Sequence, residues 1–460
     1  MIKNSDLLPL IQKYNRPGPR YTSYPTAVQF TESYGPSDYA KDLIEIDRQA
    51  AKPLSLYVHI PFCEARCAFC ACNVIISPEH DVSLKYLDFL QREMDRVTAS
   101  LRHRRQVAQV HFGGGTPTYQ TPVELRALYR AISRQFEILP NAEISIEVDP
   151  CVTTDEHLRV LRELGFNRLS MGVQDLTPEV QAAVCRNQSA TQTERLFYMA
   201  RDLGFTSINI DLIYGLPLQR VETFADSIDQ VIDMRPDRVA LYSFAHLPWL
   251  KKNQDQIETA QLPTPEVKLE LFVVAMQRFV EAGYRKIGMD HFALPSDDLA
   301  MALDERRLYR NFMGYTVRPT DVTLGFGVSS IGETPFSQMQ NTKKLSRYYS
   351  MLEGGQLATE KGYRLTADDR LRRDVIQSLM CNFFVDLQRV DREYEMNSAT
   401  YFDAEMTELE TMQREGFVKV GEKSIEVTEL GQLFVRNVAM IFDAYLKQAS
   451  DGRPRFSKTV

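Results

Sequence analysis

LSLYVHIPFCEARCAFCAC, residues 54–72, runs a seven-residue apolar stretch straight into a loop that carries four of the chain's seven cysteines. LSLYVHI (54–60) is rich in aliphatic and aromatic residues and has no turn former inside it, so it reads as a buried strand. The other cysteines, Cys151, Cys185 and Cys381, stand singly. That is not the evenly spread framework that staples small secreted domains. Zinc favours two separated ligand pairs that close a tetrahedron, and here the second pair is missing, with His59 placed inside the strand. The spacing C-x3-C-x2-C instead lets Cys63, Cys67 and Cys70 hold three irons of a cubane cluster and leave the fourth iron open for a small molecule. A zinc ion, or simply buried thiols, are the competing readings.

Outward from this stretch, short apolar runs alternate with longer segments of helical spacing. VAQVHF (107–112), EISIEV (143–148), RLSMGV (168–173), SINIDLIY (207–214) and RVALYSF (238–244) read as further strands. VSLKYLDFLQREMDRVTASL (82–101) and TERLFYMARDLGF (193–205) repeat their apolar residues at three and four, as helices laid on a sheet do. This order predicts an α/β fold with a parallel sheet, a partial (β/α)6 TIM-like barrel. CEARC, GGGTPT, DP, QD and GLP follow the strands at once, at the end of such a barrel that carries the active site. Beyond about residue 350 the pattern turns mainly helical, with a hairpin in FVKVGEKSIEVT (417–428) and a helix in ELGQLFVRNVAMIFDAYLKQ (429–448). The expected boundaries are an irregular N-terminal arm over residues 1–36, a barrel with a site-covering extension over 37–345, and a smaller helical domain with a hairpin over 346–460. Helix and hairpin in that order could form a winged-helix reader of DNA, but without a dense basic face a packing role is favoured.

With 460 residues, 44% of them hydrophobic and 25% charged, the chain can bury a large core and make more than one domain. The opening MIKNSDLLPLIQKYNRPGPRYTSYPT lacks the apolar centre of a signal peptide, and no run approaches the ~18 apolar residues of a membrane span. A cytoplasmic, reducing location without membrane contact is the expectation. A net charge of −7 argues against nucleic acid as a partner, and any anionic ligand must meet basic residues placed locally.

Seven stretches together resemble one family: YVHIPFC (57–63), HFGGGTPTY (111–119), EISIEVDP (143–150), FNRLSMGVQD (166–175), NIDLIYGLP (209–217), IGMDHFA (287–293) and GPRYTSYPT (18–26). The three-cysteine spacing after the first strand resembles the radical S-adenosylmethionine (SAM) superfamily. Within it, the set is similar to the oxygen-independent coproporphyrinogen III dehydrogenases of haem synthesis, over nearly the whole chain. The resemblance implies a barrel of the radical SAM type with the arm lying over the active site. It also implies a [4Fe-4S] cluster on Cys63, Cys67 and Cys70, SAM in two molecules, a tetrapyrrole substrate, an electron donor and an electron acceptor, and a monomer.

Residue by residue, the resemblance places Gly114, Gly115 and Thr116 at the amino group of SAM, where the bare glycines alone could equally mark a strand-to-helix turn. It gives Glu147 a SAM contact, and Gln174, Arg186 and Asp211 contacts to the second SAM. A solvated carboxylate is the plain alternative for Glu147, whereas Asp211 between apolar neighbours needs a partner in any case. Tyr57, Phe69, Ala245 and Ile331 match the remaining positions around the SAM pair, although such residues are more often plain core. His59 reads as a proton donor or a hydrogen-bonded core histidine. Cys72 fits the dehydrogenase, since haem-trafficking relatives carry a bulky apolar residue there; an inert cysteine is the alternative. Tyr57, His59, Cys72 and Glu147 are thus the candidate catalytic set. Arg16, Arg20 and Arg310 are candidates for the substrate carboxylates, with Phe312 and Met313 beside them.

The implied reaction cleaves SAM to methionine and a 5'-deoxyadenosyl radical, which takes a β-hydrogen from a propionate arm. Loss of CO2 and one electron leaves a vinyl group, and two rounds give protoporphyrinogen IX. Departures from the pattern are Met313 in place of a glutamine, Cys185 in place of an asparagine, and the small Ala68 and Ala71. Two other functions stay open from the residues: a haem-binding or haem-delivery protein, and a radical SAM enzyme acting on haem or another tetrapyrrole.

Overall fold

Leu54–Ile60 forms β1, buried along its whole length except for partial exposure at Tyr57. A strand apolar on both faces belongs in the middle of a covered parallel sheet. In the computed structural model, which describes residues 4–49, 52–448 and 456–459, that is its place. β2 (Gln106–Gly114), β3 (Glu137–Val148), β4 (Arg168–Gln174), β5 (Ser207–Tyr214) and β6 (Arg238–Ser243) follow, each parallel to the one before. All six expected strands are present, so their C-terminal ends, with the loops singled out in the sequence, lie on one side. The helices between them use the expected faces. Asp81–Ser100 buries Tyr86, Phe89, Leu90, Met94 and Val97. Pro122–Gln135 starts from a reciprocal cap between Thr121 and Glu124.

The sheet also continues across the other edge of β1, which the sequence did not announce. β7 (Thr323–Phe326) pairs parallel with β1, and β8 (Ile331–Glu333), β9 (Ser337–Asn341) and β10 (Thr359–Arg364) follow antiparallel. β9 reads SQMQN and is buried throughout. Its polar side chains show no apolar alternation because they are committed to internal hydrogen bonds. Ser337 donates to Asp42 (2.5 Å), Asn341 to Glu93 (2.5 Å) and Gln340 to the Ser329 carbonyl (3.1 Å).

By its internal contacts the chain divides into a unit of Phe30–Tyr284 with Thr320–Arg364, which holds the sheet from β1 to β10, and a unit of Met1–Gln29, Arg285–Pro319 and Leu365–Val460. This division differs from the boundaries at 36/37 and 345/346 that composition suggested. The second unit contains helices Ala367–Asn382, Leu387–Tyr394 and Asp403–Arg414 and the strands Phe384–Asp386, Val418–Val420 and Ser424–Val427, the last two forming the expected hairpin.

Two expectations in this unit are corrected. The arm is not irregular at its start: Asn4–Tyr14 is helical despite Pro9, because Leu7, Leu10, Ile11 and Tyr14 recur at helical spacing. Tyr14 sets its ring edge-on to Phe417 (5.1 Å between centroids) and Phe434 (5.7 Å). The expected single helix over 429–448 is broken into Gly431–Phe434, Val435–Met440 and Ala444–Gln448. Asp443 causes the break by accepting from the Tyr445 N–H (2.9 Å), the Leu446 N–H (3.2 Å) and the Tyr21 hydroxyl (2.9 Å). No helix among the described residues is long and apolar enough to cross a membrane.

Candidate active site

At the C-terminal ends of the strands a cavity of about 290 Å³ opens, and Cys63, Cys67, Cys70 and Cys72 all line it. Phe69, Gly114, Gly115, Thr116, Glu147, Gln174, Arg186 and Asp211 line the same cavity. Twelve of the residues singled out in the sequence are therefore brought together by the cysteine loop after β1, by β2 to β5 and by the segment after helix Pro178–Ala183 that carries Arg186.

The parallel register sets the β1–β3 wall. Tyr57 pairs with His111 of β2, and His59 with Gly113. The Tyr57 hydroxyl donates to Nδ1 of His59 (3.0 Å), whose Nε2–H donates to the Asn73 carbonyl (3.1 Å). Both ring nitrogens are thus engaged, and burial lowers the His59 pKa. Tyr57 stacks on His111 with centroids 6.0 Å apart, and neither Tyr57 nor His59 is part of the cavity wall itself. His111 accepts or donates at Ser145 (2.7 Å) and approaches Glu147 (3.4 Å). Glu147 also accepts the Gly114 N–H (3.0 Å). Burial alone would raise the Glu147 carboxyl, but His111, the Gly114 N–H and His59 outweigh it and hold the group below its ordinary value. The glycines make this approach feasible. A Cβ on Gly113 would lie 2.9 Å from the Glu147 oxygen, and one on Gly114, which has φ of +121°, would lie 2.6 Å from the His59 ring.

Around the cysteine loop, Cys63 Sγ lies 3.4 Å from the Thr116 hydroxyl, and burial pushes its thiol up to about 11. Cys67 is raised by burial too, against the pull of Arg186, which donates to its sulfur (3.6 Å). Cys72, exposed at the rim, donates its S–H to Cys70; that bond lowers Cys70 and raises Cys72. Arg186 is a hub: it also donates to the Gly172 carbonyl (2.8 Å), to Gln188 (2.9 Å) and to Asp149 (3.2 Å). The Asn253 amide lies within reach of the Cys67 (3.3 Å), Ala68 (2.9 Å) and Cys70 (2.9 Å) carbonyls and so fixes the loop from outside. On β5, Asp211 accepts from Asn209 (2.7 Å) and Ser170 (3.2 Å), the partners its apolar neighbours led one to expect. Gln174 sits at the irregularity in the β4–β5 ladder with φ of +70°.

Among the described residues no three His, Cys, Asp or Glu side chains gather as they would around a single ion. A cubane spreads its thiolates over separate irons, so the Cys63, Cys67 and Cys70 sulfurs around one cavity fit that group. Asp149, Ser170, Gly172, Tyr242 and Arg66 line the cavity as well and were not singled out in the sequence. Nor was His111, whose signal was its place opposite Tyr57 on the next strand. Besides Tyr57, two further expected SAM positions lie off the wall. Ala245 follows β6 and accepts from Gln254 (3.2 Å), and Ile331 pairs with Gln340 at the start of β8.

The candidates for the substrate carboxylates all belong to the second unit. Arg16 is exposed, Arg20 pairs with Asp290, and Arg310 is buried, donating to the Arg20 carbonyl and lying 5.0 Å over the Tyr315 ring. Phe312 and Met313 form the turn of the hairpin Tyr309–Asn311 and Gly314–Thr316, with the Met313 N–H donating to Asn311 (2.9 Å).

Parallel barrel strands ending at a cavity with three loop thiols define a radical SAM protein. In agreement, residues 57–231 match the Radical SAM superfamily and residues 365–434 the HemN C-terminal domain. The chain is 46% identical over 441 residues to the oxygen-independent coproporphyrinogen III oxidase of Salmonella typhimurium, covering 96% of each chain. It is 43% identical to that of Pseudomonas aeruginosa, covering 98% of each. The solved structure of coproporphyrinogen III oxidase (HemN) from Escherichia coli, described as a radical SAM enzyme, superposes with a TM-score of 0.90 at 42% identity, covering 95% of this chain and 98% of that one. The chain belongs to the family of oxygen-independent coproporphyrinogen III oxidases. As a member of it, the protein takes a [4Fe-4S] cluster and SAM.

Proposed function

We propose that the protein oxidises coproporphyrinogen III without oxygen, converting two propionate side chains to vinyl groups to give protoporphyrinogen IX in haem synthesis. The observation that carries this reading is the gathering of Cys63, Cys67, Cys70 and Cys72 with Gly114, Thr116, Glu147 and Arg186 on one cavity, in a chain of this family.

Cys63, Cys67 and Cys70 would hold the cluster, with SAM beside it. The bound cluster and SAM supply the one-electron chemistry that removes a propionate hydrogen. The chain's own residues bind, orient and exclude water. Gly114, Gly115 and Thr116 offer a close backbone edge to the amino group, and Glu147, held ionised by His111 and the Gly114 N–H, adds a counter-charge. Gln174, Arg186 and Asp211 offer charged and amide groups to a second SAM. Phe69 closes the cavity wall beside them. The Tyr57–His59 pair holds a proton on the Tyr57 oxygen, off the cavity wall. Cys72 adds an exposed thiol to the cavity lining.

The test is anaerobic incubation of the reconstituted protein with coproporphyrinogen III, SAM and dithionite, with chromatography of the porphyrin products and a parallel incubation with haem. The reading requires vinyl products from coproporphyrinogen. Turnover of haem alone would replace it with a different tetrapyrrole reaction.

A further inference from the structure

Arg186 owes its place to the end of a helix. Pro178–Ala183 stops in a left-handed turn at Cys185 (φ of +57°), with the Cys185 N–H on the Ala182 carbonyl (3.1 Å) and the Arg186 N–H on that of Gln181 (2.9 Å). That pair of bonds is a Schellman motif, and the buried Arg186 side chain beyond it reaches back to Gly172 of β4. Its three guanidinium nitrogens have separate partners. Nη2 meets the Gly172 carbonyl (2.8 Å) and Asp149 (3.2 Å), Nη1 donates to Cys67 Sγ (3.6 Å), and Nε donates to the side-chain oxygen of Gln188 (2.9 Å).

Gln188 is buried and is not part of the cavity wall. Its amide can face only one way. Thr193 gives its hydroxyl proton to the Ser189 carbonyl (3.2 Å) and so accepts from the Gln188 side-chain N–H (2.7 Å), which leaves the Gln188 oxygen to Arg186. The Gln188 backbone is fixed as well, its N–H donating to the side chain of Gln181 (2.9 Å), which in turn donates to the Asp175 carbonyl. A neutral acceptor orients the guanidinium without cancelling its charge. The carboxylate that pairs with it, Asp149, sits on Nη2 and not on the nitrogen that meets the sulfur.

The loop sulfurs differ in what they receive. Cys63 lies by the Thr116 hydroxyl, Cys70 accepts from the Cys72 thiol, and Cys67 accepts a charged N–H. An electron added to an iron–sulfur cluster puts more negative charge on its sulfurs, so a charged donor on a ligating thiolate favours the reduced form. We propose that Gln188 is a positioning residue that holds Arg186 on the Cys67 sulfur, and that this N–H···S bond raises the reduction potential of the cluster. Reduction adds one electron and moves no proton, since the arginine keeps its hydrogen in both states. The inference rests on the place given to Cys67 in the proposed function.

The test reconstitutes the parent, Arg186→Met, Gln188→Met and the double variant, counts their iron, and reads their potentials by electron paramagnetic resonance of samples poised with dithionite and low-potential dyes. SAM and tetrapyrrole are left out, so the expected contact of Arg186 with SAM does not enter. At a fixed solution potential the ratio of reduced to oxidised cluster should fall about tenfold in Arg186→Met, a downward shift of about 59 mV for one electron. Gln188→Met should shift it the same way by about threefold or more, and the double variant no further than Arg186→Met alone, because Gln188 acts through Arg186. A merely structural Gln188 would lower the melting temperature and leave the potential in place. If Gln188→Met loses iron, Thr193→Val, which removes only the hydroxyl that orients the Gln188 amide, takes its place and must lower the potential too. An unchanged potential in that variant, or a double variant shifted by the sum of the two singles, overturns the proposal. Full iron retention in Cys67→Ala would instead remove the ligand assignment on which it rests.

Discussion

Each of Cys63, Cys67 and Cys70 replaced by Ala should leave the anaerobically reconstituted protein without its full iron, whereas Cys72→Ala should keep about four irons and lose turnover. Iron and sulfide analysis beside the product assay checks both halves. A second residue matters for stability. Glu93 is buried and accepts from the Gly327 N–H (2.7 Å), Tyr348 (2.7 Å) and Asn341 (2.5 Å), yet burial still pushes its carboxyl up to about 7. Between the ordinary value of 4.5 and about 7 the folded protein keeps a proton that the unfolded chain has released. Stability contributed by this group is therefore full below pH 4.5 and falls as pH rises to 7, by about 3 kcal/mol. Glu93→Gln should flatten that slope, as thermal unfolding from pH 5 to 8 would record. At this scale the cysteines, the glycine run, Glu147 and Arg186 were legible because their chemistry is unusual wherever it occurs. Asp149 and His111 were not, because what makes them part of the site is an arginine 37 positions away and a strand register, neither of which is written locally.

Among the elements, β1 to β6 announced themselves through short runs rich in aliphatic, β-branched or aromatic residues, buried almost continuously in β1 and alternately in β4. β7 to β10 did not, because short strands carrying Gly325, Gly332 and the buried polar run of β9 have no period to read. The loop after β2 lies so close to the cysteine loop that a Cβ on Gly115 would fall 2.7 Å from the Phe62 carbonyl. Gly115→Ala must shift one loop off the other. It should weaken SAM binding by about tenfold, or about 1.4 kcal/mol, with little change in melting temperature, as calorimetric titration of the reconstituted protein would show. The hairpin turn at Met313 carries a thioether where relatives were expected to carry an amide. If that amide meets a charged group of coproporphyrinogen, Met313→Gln should preserve turnover or raise it by up to about ten- to a hundredfold, the worth of a ~1.5 to 3 kcal/mol hydrogen bond. Steady-state rates of both proteins decide this, and equal rates mean that position 313 does not face the substrate.

For the molecule as a whole, the sequence pattern set a barrel apart from a helical region and drew the arm as a separate piece. Tyr14, Tyr21 and Tyr24 instead belong to the core built around Phe402, Phe417 and Phe434, and only long-range packing could reveal it. Removal of residues 1–29 is accordingly expected to strip these three rings from that core and to destabilise the second unit by several kcal/mol, seen as an early unfolding transition in calorimetry. If the cavity of Cys63, Cys67, Cys70, Gly114 and Glu147 directs hydrogen removal from a propionate of coproporphyrinogen III, as proposed, the removed hydrogen must pass into 5'-deoxyadenosine. The most direct measurement is mass spectrometry of the 5'-deoxyadenosine formed from coproporphyrinogen III deuterated at the propionate β-carbons, under anaerobic conditions with SAM and dithionite. The account predicts deuterium in the 5'-deoxyadenosine together with vinyl products. Vinyl products accompanied by undeuterated 5'-deoxyadenosine, or 5'-deoxyadenosine with no change in the tetrapyrrole, would contradict it.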